Sequence, residues 1–274
     1  MSRQDELSIM ALIDSMANQF TKTDWTIAQF IKKRADAFSS MTAAELAAEI
    51  GTSDASIVRF AQKVGFDGLN EMRAVIKREI GSGESESHDE RGQLESQYQE
   101  SIASLFQLAR EEDLQLFDTL VHQSAFVQVC AFKQNSCLAN LIVDKLMLLG
   151  IKVTAITNMN EFQLCVARAN RDDLFIVLDI GADQDRLERQ FDLLDLRETP
   201  VVLLTRYLKS NLREKSALSF LIPASSDPLS GAALSESTLT LILSDILFSS
   251  LLESNSARYK DFLARSLDII ERRP

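Results

Sequence analysis

Along the first 80 residues the apolar positions recur three and four apart: Leu7, Met10, Ala11, Ile13, Met16 and Phe20, then Ile27, Phe30 and Ile31, then Leu69, Met72, Val75 and Ile76. That spacing predicts amphipathic helices over residues 4–20, 24–37 and 67–80. With two shorter helices between residues 42 and 65 they make a bundle of about five. Trp25 and Phe30, also at helical spacing, are expected in its core rather than as a platform for stacked bases. From Gly81 to Gly92 the chain turns polar, acidic and glycine-punctuated, the composition of a flexible linker. Helical spacing resumes at Leu94, Tyr98, Ile102, Leu105 and Leu108, and again at Leu114, Phe117 and Leu120. The period then changes. Residues 127–131, 152–156, 174–178, 201–204 and 220–222 are short apolar or β-branched runs, each followed by a segment of helix length. Buried strands alternating with helices predict a parallel sheet covered on both faces. Two apolar helices, residues 235–252 and 256–272, close the chain and need a partner, either the sheet or a second subunit. The fold class expected is therefore two domains: an all-α helix-turn-helix bundle over 1–80, an acidic linker over 81–93, and an α/β doubly wound parallel-sheet domain over 94–274.

The stretch from Thr42 to Gly65 carries the clearest chemistry. Thr42 with Glu45 three residues on forms a capping box, and Leu46, Ala47 and Ile50 make an apolar stripe ending at Gly51, which can take positive φ. Ser53 is placed to cap a second helix whose buried side is Ile57, Phe60, Ala61 and Val64. The other side shows Asp54, Ser56, Val58, Arg59, Gln62 and Lys63, a face able to lie in a major groove. An ordinary helical hairpin fits the caps equally well. Arg59 suits phosphates and guanine edges alike, whereas Asp54 gains from the helix dipole without any DNA role.

Composition narrows the field. The 274 residues carry 46% hydrophobic and 25% charged residues with net charge −11. The acidity is local: residues 1–80 carry net −1, residues 81–125 net −8 and residues 126–274 net −2. Lys32, Lys33, Arg34, Arg59, Lys63, Arg73, Lys77 and Arg78 give the first domain cationic spots without a broad basic field, so specificity would lean on dimeric binding and base contacts. The N-terminus has no signal pattern and no apolar run was found of the ~18 residues a membrane helix needs, so a cytoplasmic protein is expected. Cys130, Cys137 and Cys165 lack metal or disulfide spacing and suit reduced, buried thiols. With His88 and His122 as the only histidines, no metal site, cofactor or His-based triad is expected.

These residues resemble the RpiR-type family of bacterial transcription regulators, which joins an N-terminal helix-turn-helix domain to a C-terminal sugar isomerase (SIS) domain. The resemblance spans nearly the whole chain. It rests on Ser53-x-Ala55-Ser56-Ile57-x-Arg59-Phe60 and Lys63-Val64-Gly65-Phe66-x-Gly68-Leu69 in the first domain. In the second it rests on Ala139, Lys145-Leu146, Gly150 and Ser244-Asp245-Ile246-Leu247-Phe248. It implies DNA contacts from Thr42, Ser53, Asp54, Ser56, Val58, Arg59, Gln62 and Lys63. It also implies a ligand site at the carboxyl ends of the strands, where loops pass into helix N-termini.

There the chain departs from the family. The usual Gly-x-Gly-x-Ser reads Ala131-Phe-Lys133-Gln-Asn135-Ser136, and the usual Ser-x-Ser-Gly-x-Thr reads Asp179-Ile-Gly181-Ala-Asp183-Gln184. The expected effector site is Lys133, Asn135, Ser136, Asp179 and Gly181, with Asp183 at its rim. Carboxylates ~4 Å from a phosphate cost about 1 kcal/mol in water and about 4 at an effective dielectric of 20, so Asp179 and Asp183 argue against an unaided phosphate. Three readings stay open: a pocket redesigned for another small molecule, an empty scaffold kept for oligomerisation, and a phosphosugar site retained by Lys133. The leading function is a regulator, not an enzyme, that binds operator DNA as a homodimer or tetramer and answers to a small effector, sugar-derived or not. A sugar-phosphate isomerase and a protein-interaction module without DNA are the rivals.

Overall fold

The computed structural model describes residues 8–82, 90–180, 184–223, 236–254 and 256–271. Its contacts divide the chain into two compact units, the first dominated by the residues up to Ser104 and the second made of Leu105–Arg206, Ser210–Ile222 and Glu236–Pro274.

The first unit holds α1 (Ile9–Ser15), α2 (Lys22–Lys33), α3 (Ala35–Ser40), α4 (Ala43–Ile50), α5 (Asp54–Val64) and α6 (Leu69–Ser82). Its core is Ile13, Met16, Ile27, Ile31, Phe38, Leu46, Ile57, Phe60 and Met72, each essentially inaccessible. The periodicity is observed, but the boundaries differ. The helix expected over 4–20 stops at Ser15, whose hydroxyl turns back to the Leu12 carbonyl at 2.7 Å, and a 3-10 turn follows. The helix expected over 24–37 breaks at Arg34, which has φ −145° and ψ 54°. A straight helix would carry Phe38 roughly 10 Å beyond Ile31 along its axis, past so small a core; the break lets α3 fold back and bury it. Trp25 is 41% exposed, contrary to the core position expected, and only its edge is engaged, against Phe20, whose ring meets Phe60 at 5.3 Å.

At the expected linker, Gly81 and Ser82 continue α6, and Glu90–Leu108 forms α7, whose Glu, Arg and Gln residues favour helix. Residues 83–89 of that linker lie outside the described residues.

In the second unit α8 (Glu111–Gln123) precedes the alternating series β1 (Phe126–Cys130), α9 (Ser136–Leu148), β2 (Val153–Ile156), α10 (Met159–Arg168), β3 (Asp173–Leu178), α11 (Gln184–Leu196), β4 (Val201–Thr205), α12 (Asn211–Glu214) and β5 (Leu218–Leu221). Then come α13 (Glu236–Ser254) and α14 (Ser256–Glu271). All strand pairs are parallel, in the order β2-β1-β3-β4-β5. Strand alternation sorts the core: Phe175 and Val177 join Val201 and Leu203 under Phe162 of α10 and Phe191 of α11. Ile176 and Leu204 face the other way, toward Phe117 of α8, Leu146 of α9 and Leu247 of α13. The doubly wound domain is thus observed. By length and composition α13 could cross a membrane, a run the sequence reading did not find. Leu239, Leu243, Leu247 and Leu251 bury one side of it, and it packs with α8 and α9 as a layer helix. Cys130 is buried and Cys165 partly so, but Cys137, in the first turn of α9, is exposed, against the expectation of three buried thiols.

Candidate nucleic-acid interface and strand-end site

Local rules build the hinge between α4 and α5. Thr42 Oγ1 accepts from the Glu45 N–H at 3.3 Å while Glu45 Oε2 accepts from the Thr42 N–H at 2.7 Å, which holds the Glu45 carboxyl below its usual range. Gly51 stops α4 with φ 77°, and Ser53 Oγ accepts from the Ser56 N–H to start α5. Gly65 then ends α5 in the left-handed region, with φ 114°.

This places Ile57, Phe60, Ala61 and Val64 inward and leaves Asp54, Arg59 and Gln62 exposed, with Ser56, Val58 and Lys63 half-buried. Thr42 and Ser53 are exposed at the two helix starts, their hydroxyls committed to caps. Arg59 Nη2 donates to Ser56 Oγ at 3.2 Å, which lays the guanidinium along the exposed face. Lys63 is otherwise employed. Its ammonium donates to Asp24 Oδ2 at 2.5 Å and joins α5 to α2. Burial alone would raise the Asp24 pKa; the hydrogen bonds from Lys63 and Thr21 outweigh it and hold the carboxyl below its usual value. Other cations of this domain are engaged within it: Lys32 pairs with Asp14, Arg34 pairs with Glu49 at the surface, and Arg73 donates to the Met41 carbonyl. Periodicity reveals which side a cation lies on, but not which acceptor a distant segment brings to it.

The second group of expected residues comes together at the carboxyl ends of β1 and β3. Chain order reverses there, with β2 on one side and β4 on the other, making it the topological switch point of the sheet. Lys133 is exposed and has φ 57°, so it keeps a left-handed conformation at a position where the family pattern has glycine. Ser136 Oγ donates to the Lys133 carbonyl at 2.7 Å. Asn135 is 4% exposed: its amide donates to the Ile180 carbonyl at 2.8 Å, and its Oδ1 accepts from Ser237 Oγ at 3.1 Å. Asp179 is 1% exposed and accepts from Thr205 Oγ1 at 2.7 Å and from the Gln184 amide. Burial pushes its pKa up to about 6 against those two bonds and the nearby Arg206. Asn135 and Asp179, expected at the effector site, are both buried and bonded to partners within the domain. Gly181 and Asp183 lie outside the described residues.

Several neighbours escaped the sequence reading: Thr205 and Gln184 on Asp179, and the ion pair of Arg206 with Glu236 at the start of α13. Position at a strand end was the available signal for Thr205 and Arg206. Lys145 and Asp245, noted separately in the sequence, meet: the ammonium donates to Ser244 Oγ at 2.7 Å and to Asp245 Oδ1 at 2.5 Å. Among the described residues no group of three or more His, Cys, Asp or Glu is arranged to hold a metal.

A helix-turn-helix domain followed by an SIS-type α/β domain is the architecture these two regions define. Residues 7–83 match the family model described as the helix-turn-helix domain of the rpiR family, and the N-terminal domain is of that type. The chain shares its fold with the Vibrio vulnificus NanR protein complexed with ManNAc-6P, at 22% identity and TM-score 0.60, over 95% of this chain and 98% of that one. The sugar isomerase domain of an RpiR transcription factor from Sphaerobacter thermophilus matches at 17% identity and TM-score 0.57, over 65% of this chain and 98% of that one. A suggested sugar-phosphate isomerase from Listeria monocytogenes matches at 16% identity and TM-score 0.52, over 68% and 99%.

Proposed function

We propose that the protein is a transcriptional regulator that reads operator DNA with α5, works as a homodimer or tetramer through its SIS-type domain, and is not an enzyme. The observation that carries this is the capped α4–Gly51–α5 hinge inside a matched rpiR-family domain, with Arg59 on the open face of α5. The helix N-termini offer backbone N–H groups to phosphates, and Arg59 and Gln62 offer donors to base edges. Footprinting on the region upstream of its own gene tests the reading: a protected, roughly two-fold site lost in Arg59→Ala supports it. A footprint unchanged in that variant rejects the assigned face.

The effector is read as a polar metabolite, sugar-derived or otherwise but not a simple phosphosugar, bound at the strand ends around Lys133 and Ser136. NanR holds ManNAc-6P on the same fold, yet here a buried carboxyl stands where the family has a hydroxyl. Calorimetry with ManNAc-6P and with its unphosphorylated sugar separates the cases, and tight binding of the phosphate replaces this reading. A second reading, a scaffold without ligand, is favoured by the internal bonding of Asn135 and Asp179; it stands if a metabolite panel produces no melting shift. Turnover of an aldose phosphate to its ketose would return the protein to the isomerases.

A further inference from the structure

Three adjoining hollows run along α8 in the second unit. The first, about 620 Å³, lies between α8 and α13, with Phe106, Leu114, Ile242 and Ile246 among its walls. The second, about 420 Å³, shares Gln115, Asp118 and Ser254 with the first, and the third, about 240 Å³, shares His122 and Tyr259 with the second. They form one groove whose ends carry opposite charge. Glu111, Glu112 and Asp113 fill the first turn of α8, just after Arg110; on the opposite wall Asp245 is paired with Lys145, and Glu253 lines the first hollow farther along α13. His122, Lys152 and Arg258 line the far end. Phe106, in the wall of the first hollow, is 58% exposed, and Leu116, on α8 outside the lining of the hollows, is 41% exposed. At the midpoint Asp118 is buried, with Oδ2 accepting from Ser250 at 2.9 Å.

We propose that this groove is the two-fold interface of the protein, with α8 of a second copy lying antiparallel to α8 in the groove beside α13. The proposal rests on the reading of the chain as a dimer and says which surface makes it. A two-fold interface must complement itself, because the same patch serves on both sides. A groove acidic at one end and basic at the other meets that demand only when the two copies run in opposite directions. Each Glu111 end then faces the other copy's Lys152 and Arg258, while parallel copies would set acid on acid. The antiparallel setting brings the exposed Gln115 and Thr119 of the two copies together at the midpoint of the groove. The apolar walls give the pair an area to bury, and the end charges fix its direction. The sequence pointed to the closing helices as the contributors; here α13 supplies one wall, α14 supplies Arg258 and Tyr259, and α8 lies at the centre.

Sedimentation of the full chain over a range of concentrations tests this, with helical content and melting confirming that each variant is folded. Glu111→Lys with Glu112→Lys, and separately Lys152→Glu with Arg258→Glu, are each expected to weaken the dimer at least about tenfold, more steeply at low salt. All four changes in one chain restore the original charge pairing, and the dimer is expected to return to within about threefold of wild type. Two reversals that each weaken the dimer without recovery in the combined protein overturn the antiparallel setting. Unchanged dimerisation in all of them, and in Leu116→Asp, overturns the face while leaving a dimer elsewhere. A wild-type chain that is monomeric at every concentration removes the dimer reading itself.

Discussion

The helix-turn-helix hinge and the strand-end site were both approached through local motifs, and they came out differently. In the hinge the exposed residues of α5 are those the helical period leaves outside, and the caps are the ones Thr42, Glu45, Gly51 and Ser53 announce. At the strand ends the expected residues do converge, but Asn135 and Asp179 turn inward to partners supplied by other elements. A cap is settled within four residues of chain. A strand-end side chain is settled by whatever the topology brings beside it, and only the position of a site, not the orientation of its side chains, follows from the pattern of runs.

The sharpest way to break this contrast is through Asp179. Its native pKa of about 6 lies above the ordinary carboxylate value, so between roughly pH 4 and 6 the folded protein holds a proton that the unfolded chain releases. The stabilising contribution is therefore fully present below pH 4 and is lost as pH rises through 6. The loss from this residue reaches at most about 3 kcal/mol by pH 7. Denaturant unfolding at pH 5 and pH 7 is expected to show the decline in wild type and a flatter profile in Asp179→Asn. An identical profile in both would mean the carboxyl is not buried and bonded as described.

Arg59 probes the other half. Arg59→Ala is expected to cost about 1 to 3 kcal/mol of specific operator binding, or roughly 5- to 150-fold, with an unchanged melting temperature. Gel shifts beside thermal melts check both parts, and a fall in stability of similar size would transfer Arg59 to the structural side of the comparison. Lys63 should behave in the opposite way. Since Lys63→Ala leaves buried Asp24 without its ammonium, a loss of about 1 to 2 kcal/mol of domain stability is expected, readable by denaturant titration without DNA present. The smallest effect belongs to Lys133→Gly. Relief of the left-handed backbone at φ 57°, offset by the entropy of glycine in the unfolded chain, is expected to raise stability by no more than about 1 kcal/mol.

Most of the architecture was legible because it rests on periodicity: five β-runs, their intervening helices, and the burial of Phe60 and Val64 on one side of α5. What escaped was set by distance in sequence. The break at Arg34 depends on the size of the core that Phe38 must reach, and the exposure of Trp25 on how few neighbours surround the start of α2. Lys63 and Asp24 are 39 residues apart, and no motif links them. At the strand ends the substitution of Asp179 for a hydroxyl was visible, but its meaning depended on Thr205, 26 residues away. The carboxyl at that position is a buried group held by its neighbours.

Asn135 also bears on the order in which the α/β domain forms and comes apart. Its two hydrogen bonds join residues 45 and 102 positions apart in sequence, so they close loops whose entropy must be spent before either bond is made. Bonds of this kind need β1, β3 and the start of α13 to be gathered first, so they are expected on the native side of the folding barrier. Their strength then governs how slowly the domain unfolds rather than how quickly it folds. One buried amide thus ties the lifetime of the folded domain to the carboxyl ends of its strands.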